Sequence, residues 1–177
     1  IDDLAHGAER GIYFDGRRAQ RVIRFFLFLR HVDGEFVGQP VVLQPWQQFV
    51  LAMVFGWRRI DNGYRRFRTV YLSVARKNGK STMIGGVGLY LLDADNEPSA
   101  RVYAVATKKD QALEIWEGAL KLMQKSPALK KRIRHYKHKT SLVVESTMSK
   151  FVPLGRDSST MDGLNVHGWL VDELHAH

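Results

Sequence analysis

The sequence predicts an α/β fold: a mainly parallel sheet flanked by helices. Three observations carry this. Thr69–Val74 and Arg101–Ala106 are short, apolar runs rich in β-branched residues, the composition of buried strands. The stretches after each run have helical character. A last apolar run, His167–Val171, ends in paired acids, Asp172 and Glu173. Strands that alternate with helices pair in parallel, because each crossover must carry the chain back to the same edge of the sheet.

In chain order, the first third reads as helical. Asp15 is an N-cap candidate, and Val22, Phe25, Phe26 and Leu29 then fall on one helical face. Turns around Gly34 and Gly38 lead to a second helix with Pro45 in its first turn, where a missing N–H costs nothing. Its expected apolar stripe is Phe49, Val50, Met53, Val54 and Trp57, with Trp46 in the core. Gly63 marks the next break. After the Thr69–Val74 strand, a basic loop leads into a helix over Ser81–Leu92. After Arg101–Ala106, Thr107 is expected to cap an amphipathic helix that buries Ala112, Ile115, Trp116, Ala119, Leu122 and Met123. Ser141–Glu145 and Lys150–Leu154 suggest a hairpin or meander around Ser146 and Thr147.

Composition narrows the function classes. With no cysteine among 177 residues, disulfide scaffolds, cysteine zinc sites and thiol catalysis are excluded. The longest apolar run, Phe49–Trp57, is nine residues, against about twenty for a membrane-spanning helix. The acidic opening Ile1-Asp2-Asp3 lacks the pattern of a secretion signal. A soluble, basic domain with no membrane partner is expected, and a start without Met suggests a fragment or processed chain. The 27 Lys and Arg exceed the 18 Asp and Glu, a formal charge of +9 that favours a polyanionic partner. Charge alone does not separate DNA, RNA and nucleotide phosphate.

The most informative stretch is Val74-Ala75-Arg76-Lys77-Asn78-Gly79-Lys80-Ser81-Thr82. It joins an expected strand to an expected helix, the setting in which backbone N–H groups and a helix N-terminus cradle phosphate oxygens. Gly79 allows close approach, Lys80 bridges β- and γ-phosphates, and the Ser81 hydroxyl ligates Mg²⁺. Val74 stands where the G-x-x-x-x-G-K-[ST] pattern has its first glycine. Asp172, at the C-terminal end of its strand, supplies the carboxylate for the Mg²⁺ water shell, and Glu173 polarises the attacking water. The pair reads as Walker A and Walker B of an ATP-hydrolysing P-loop domain.

At these residues the sequence resembles the large subunit of tailed-phage terminases, in the HK97-like group. The marks are Leu43-Gln44-Pro45-Trp46-Gln47, Phe55-Gly56-Trp57, Ala75 to Ser81, Ala106-Thr107 with Gln111-Ala112, and Met161-Asp162-Gly163-Leu164-Asn165 before Val171-Asp172-Glu173-Leu174-His175. They span nearly the whole chain, in the family's order, and correspond to the N-terminal ATPase half of such a protein. The resemblance implies a terminase-type P-loop fold over 1–177. Residues 1–68 form a helical lead-in carrying an adenine-recognition segment, 69–177 form the P-loop core, and the chain is truncated after the Walker B strand. It also accounts for Val74, since this family's Walker A lacks the first glycine and carries an early basic residue.

By resemblance, Arg76 (less readily Lys77) senses the γ-phosphate, and Gln44 or Gln47 contacts adenine. Arg156 is a candidate arginine finger for a neighbouring subunit, with Arg101 and the basic 130–139 segment as competitors for that role. The implied activity is ATP hydrolysis driving viral double-stranded DNA into procapsids, with ATP and Mg²⁺ as cofactors. DNA would be held by its phosphate backbone. A portal protein, a small terminase subunit and a homo-oligomeric ring are the implied assembly, in the bacterial host cytoplasm and transiently at the procapsid portal. The C-terminal nuclease domain of such a protein is not among these residues, so DNA cutting is expected only of a longer parent. Another P-loop nucleic-acid translocase or helicase, or a non-hydrolysing DNA-binding assembly module, are the competing readings. His167, His175 and His177 lack the further ligands that zinc needs.

Overall fold

The computed structural model of the chain describes residues 2–106, 108–155 and 165–172. Contacts divide the chain into two compact units, Ile1–Leu27 with Val42–Ala75, and Phe28–Val41 with Arg76–His177. The line drawn from sequence between residues 68 and 69 thus lies a few residues before the division at Ala75, and Phe28–Val41 goes with the second unit.

The first unit holds α1 (Asp2–His6), β1 (Ile12–Phe14), α2 (Gly16–Phe26), α3 (Pro45–Gly56) and β2 (Trp57–Arg59). Asp15 caps α2 as expected, its carboxylate accepting the Arg17 and Arg18 backbone N–H groups at 3.0 and 3.1 Å. Val22, Phe25 and Phe26 are buried on the face the sequence marks. In α3 the expected stripe is wrong. The buried residues are Gln47, Leu51, Phe55 and Gly56, while Phe49 is 64% exposed and Trp46 is only half-buried. The helix is apolar nearly all round after its first turn, so periodicity does not choose its inner face. Trp57 is buried, but as the first residue of β2, where its ring meets Phe14 edge-on at 5.4 Å. β1 and β2 pair antiparallel, and Asp3 ties Arg10 and Arg66 together at 2.7 and 2.6 Å.

Thr69–Val74 forms no strand. It makes no ladder with any described residue, and Val70 and Tyr71 are 49% and 74% exposed. Strand propensity reflects fit to a paired, half-buried surface, so an apolar β-branched run without a partner stays coil.

The second unit contains α4 (Lys80–Asp93), β3 (Arg101–Ala106), α5 (Lys109–Lys125), α6 (Pro127–Arg132), β4 (Arg134–Tyr136), β5 (Ser141–Val144), β6 (Ser149–Gly155) and β7 (Gly168–Val171). They form a five-stranded sheet in the order β4-β5-β6-β3-β7. β6, β3 and β7 run parallel, and β4 and β5 add an antiparallel extension. The expected β5–β6 hairpin is present, turning through a 3₁₀ segment at Glu145–Thr147. Val102, Ala104, Leu142 and Phe151 are fully buried on one sheet face. There the Trp116 indole of α5 donates to the Phe151 carbonyl at 3.1 Å. The α5 residues expected to be buried are buried, with Lys108 as N-cap and Thr107 outside the described residues.

Two of the three glycines of α4, Gly85 and Gly88, let the helix lie close against its neighbours. A Cβ on Gly85 would meet the Ala119 backbone of α5 at 3.2 Å, and one on Gly88 would meet Leu170 and Phe151 side chains at 2.7 and 2.8 Å. Asp93 ends this helix with its side chain 1% exposed. Arg132 approaches it at 3.0 Å as an ion pair without hydrogen-bond geometry. Burial pushes the Asp93 carboxyl above the usual carboxylate range, against the opposing pull of Arg132. Among the described residues no helix is long and apolar enough to cross a membrane.

Candidate nucleotide site

The parallel strands β6, β3 and β7 finish at a common edge. The register sets Ala106 beside Gly155 and Val105 beside Val171, so Asp172 emerges next to the end of β3. In sheets of this kind ligands bind in the crevice beyond the carboxyl ends of the strands. The N-terminus of α4 comes to the same edge. Gly79 is its N-cap in the left-handed region (φ 72°), and the first helical bond runs from the Met83 N–H to the Gly79 carbonyl at 3.0 Å. The N–H groups of Lys80, Ser81 and Thr82 precede that bond and have no intrahelical acceptor.

Two residues before Gly79, Lys77 is also left-handed (φ 65°). A residue with a Cβ pays on the order of 1 kcal/mol for that conformation. The Asn78 amide leans back on the Arg76 carbonyl at 3.5 Å, and Arg76, Lys77, Asn78 and Gly79 are all exposed. The loop is thus a tight, solvent-facing curl of cationic residues leading into a helix N-terminus, a geometry that attracts anions.

The decisive contact joins this loop to the sheet. Lys80 Nζ lies 2.7 Å from Asp172 Oδ1, with the two side chains 32% and 21% exposed. Residues 92 positions apart in sequence, each singled out for phosphate or metal chemistry, therefore form one cluster. Ser81 follows Lys80 on the first turn of α4, exposed. The Ser81 hydroxyl and the Asp172 carboxylate are hard oxygen donors, the set that suits Mg²⁺. Among the described residues no three His, Asp or Glu side chains gather as a separate metal site.

Glu173 and Arg156 lie outside the described residues, as do residues 161–164 of the resemblance motif, His175 and His177. Gln44 and Gln47 belong to the first unit. Gln47, at the third position of α3 and 7% exposed, accepts the Gln44 backbone N–H on its side-chain oxygen at 2.9 Å. That is one arm of a capping box, and the Gln44 side chain, on an exposed residue, supplies the other by accepting the Gln47 backbone N–H.

Sequence reasoning missed two pairings. One is the Lys80–Asp172 ion pair itself, foreshadowed only by opposite charges at the ends of two motifs. The other is His167 with Asp95, whose side chains meet at 2.9 Å while both largely buried. This contact anchors the chain entering β7 to the end of α4, and gives His167 a structural partner.

A left-handed phosphate-type loop, a helix N-terminus and a strand-end carboxylate at the carboxyl edge of a parallel sheet define a nucleoside-triphosphatase class of protein. Residues 45–177 match the family described as terminase large subunit, ATPase domain, and the chain belongs to that family. It is 28% identical over 159 residues to the terminase large subunit of Enterobacteria phage HK97, a match covering 88% of this chain and 30% of that relative. The crystal structure of the HK97 bacteriophage large terminase superimposes with a TM-score of 0.69 at 25% identity, over 88% of this chain and 31% of the other. The chain therefore spans under a third of the length of these relatives.

Proposed function

We propose that this chain is the ATP-hydrolysing motor portion of a phage packaging terminase, binding ATP·Mg²⁺ on the Arg76–Thr82 loop. The observation that carries the reading is the 2.7 Å contact between Lys80 and Asp172, which joins the loop to the acidic strand end. The backbone N–H groups of α4's first turn receive phosphate oxygens, with Lys77, Asn78 and Gly79 shaping the curl and Thr82 closing it. On nucleotide arrival Lys80 exchanges the Asp172 carboxylate for β- and γ-phosphate oxygens. Asp172, no longer paired with Lys80, and the Ser81 hydroxyl would hold the cation, which when bound would neutralise phosphate charge.

Arg76, a planar multi-donor cation at the mouth of the loop, stabilises charge on the transferring γ-phosphoryl group. Glu173 orients the attacking water, and Arg156 serves a neighbouring subunit's nucleotide in a homo-oligomeric ring. Gln44 or Gln47, as the terminase resemblance implies, contacts the adenine edge. The polymer moved is double-stranded DNA gripped by its phosphates, since a packaging motor must be indifferent to sequence. Portal protein and small terminase subunit complete the assembly in the host cytoplasm, and DNA cutting belongs to a nuclease domain of a longer parent protein.

Phosphate release from Mg·ATP tests this. Glu173→Gln is expected to keep nucleotide affinity within a few-fold while lowering single-turnover hydrolysis by about 100-fold or more. Equal turnover by the variant and the parent chain would remove Glu173 from the mechanism, and no phosphate release by the parent chain would remove hydrolysis from the reading.

A further inference from the structure

The net charge is not spread over the molecule. The 27-residue stretch 118–144 holds eight of the chain's 27 Lys and Arg and none of its 18 Asp and Glu, so all but about one unit of the +9 charge resides there. In the fold this stretch is the C-terminal half of α5, then α6, β4, the turn at Lys137–Lys139 and all of β5. All eight cationic side chains are exposed. Arg132 pairs with Asp93, and no other cation of the stretch has a carboxylate partner among the described residues.

Arg134 also begins a row that crosses the sheet. The register sets Arg134 beside Val143, Val143 beside Lys150 and Lys150 beside Arg101. Three cations therefore stand on the sheet face opposite the buried Leu142, Phe151 and Val102, on strands spaced about 4.8 Å apart. Of these, Lys150 and Arg101 are directly opposed, and like charges so placed destabilise a sheet, a cost that an external anion relieves. Neither Lys150 nor Arg101 has an acidic partner among the described residues. Their neighbourhood is arranged for a multivalent anion rather than for an internal salt bridge.

We infer that this surface, the end of α5 with α6, β4 and the Lys137–Lys139 turn, is where the second unit grips the phosphate backbone of duplex DNA. The inference rests on DNA being the polymer moved, and it names the surface that holds it. The contact is to phosphates and not bases, because exposed lysines on short elements offer charge without the fixed geometry that base reading demands. It is separate from the nucleotide loop, which uses Arg76, Lys77 and Lys80.

Anisotropy titrations of a mixed-sequence 30-base-pair duplex at several NaCl concentrations test the surface. The triple variant Lys130→Gln/Arg134→Gln/Lys137→Gln is compared with a charge-matched control in the first unit, Arg17→Gln/Arg24→Gln/Arg68→Gln. Each lost phosphate contact lowers the salt slope by about 0.9. The surface variant is expected to lose roughly 2.7 from its slope and about 100-fold in affinity at 0.1 M salt, with the control near the parent chain. Equal losses in the two variants would reduce the effect to net charge and overturn the inference. So would an unchanged slope in the surface variant, or no DNA binding by the parent chain. Mg·ATP binding measured in the same samples keeps the two readings apart. DNA affinity lost only in the surface variant upholds the surface even where nucleotide binding is absent.

Discussion

Lys80→Ala is expected to lower the affinity for Mg·ATP by about 100- to 1000-fold while leaving the fold intact. The lysine reaches the strand-end carboxylate, at 2.7 Å from Asp172. A triphosphate presents several charges where Asp172 presents one, so Lys80 transfers to it at a net gain. Removing a donor of this kind from a site typically costs about 3–4 kcal/mol of ligand or transition-state stabilisation. The cost to folding is small by comparison. The ion pair is partly solvated, and pairs of that kind contribute about 0–1 kcal/mol. Titration with a fluorescent ATP analogue, with circular dichroism to confirm folding, reads both effects. Undiminished binding by a folded variant would detach the loop lysine from the nucleotide.

Gly88→Val should produce the largest loss of stability. Its Cβ would sit 2.7 Å from Leu170 Cδ1 and 2.8 Å from Phe151 Cε1, where real carbon atoms do not approach. Phe151 is fully buried and cannot swing aside. Overpacking of this kind costs about 1–3 kcal/mol, and a branched side chain adds its own helix penalty. For a chain of this length that corresponds to a fall in Tm on the order of 5–10 °C. Leu170 lies two residues before Asp172 on β7, so displacing it also moves the carboxylate. Weaker Mg·ATP binding is expected to accompany the lower Tm in thermal melts with and without nucleotide. A variant melting with the parent chain would mean that α4 does not press on β7 and β6 as described.

How much of this was legible in the sequence follows from which interactions are local. Asp15 as a cap, α5 with its buried stripe and the β5–β6 hairpin all rest on contacts within a few residues, and all are found where the spacing puts them. The Thr69–Val74 run failed because strand formation needs a partner, and its own composition carries no information about one. The inner face of α3 failed because a helix apolar all round has no phase to read. In the site, Gly79, Lys80 and Asp172 were each singled out by motif chemistry. Their mutual distance was not, since it depends on β7 pairing in parallel with β3 and on glycines that let α4 close on that sheet. The capping role of Gln47 was hidden behind a residue type that suits base recognition equally well.

Competition against fluorescent ATP in the presence of Mg²⁺ tests the central claim, that the Arg76–Thr82 loop with Asp172 is a phosphate site, most directly. Inorganic tripolyphosphate carries the phosphates without the base, and adenosine carries the base without the phosphates. The account predicts displacement by tripolyphosphate at concentrations within about tenfold of ATP, and by adenosine only at 100-fold higher or more, since charge-assisted contacts dominate such sites. Displacement by adenosine with none by tripolyphosphate would contradict it.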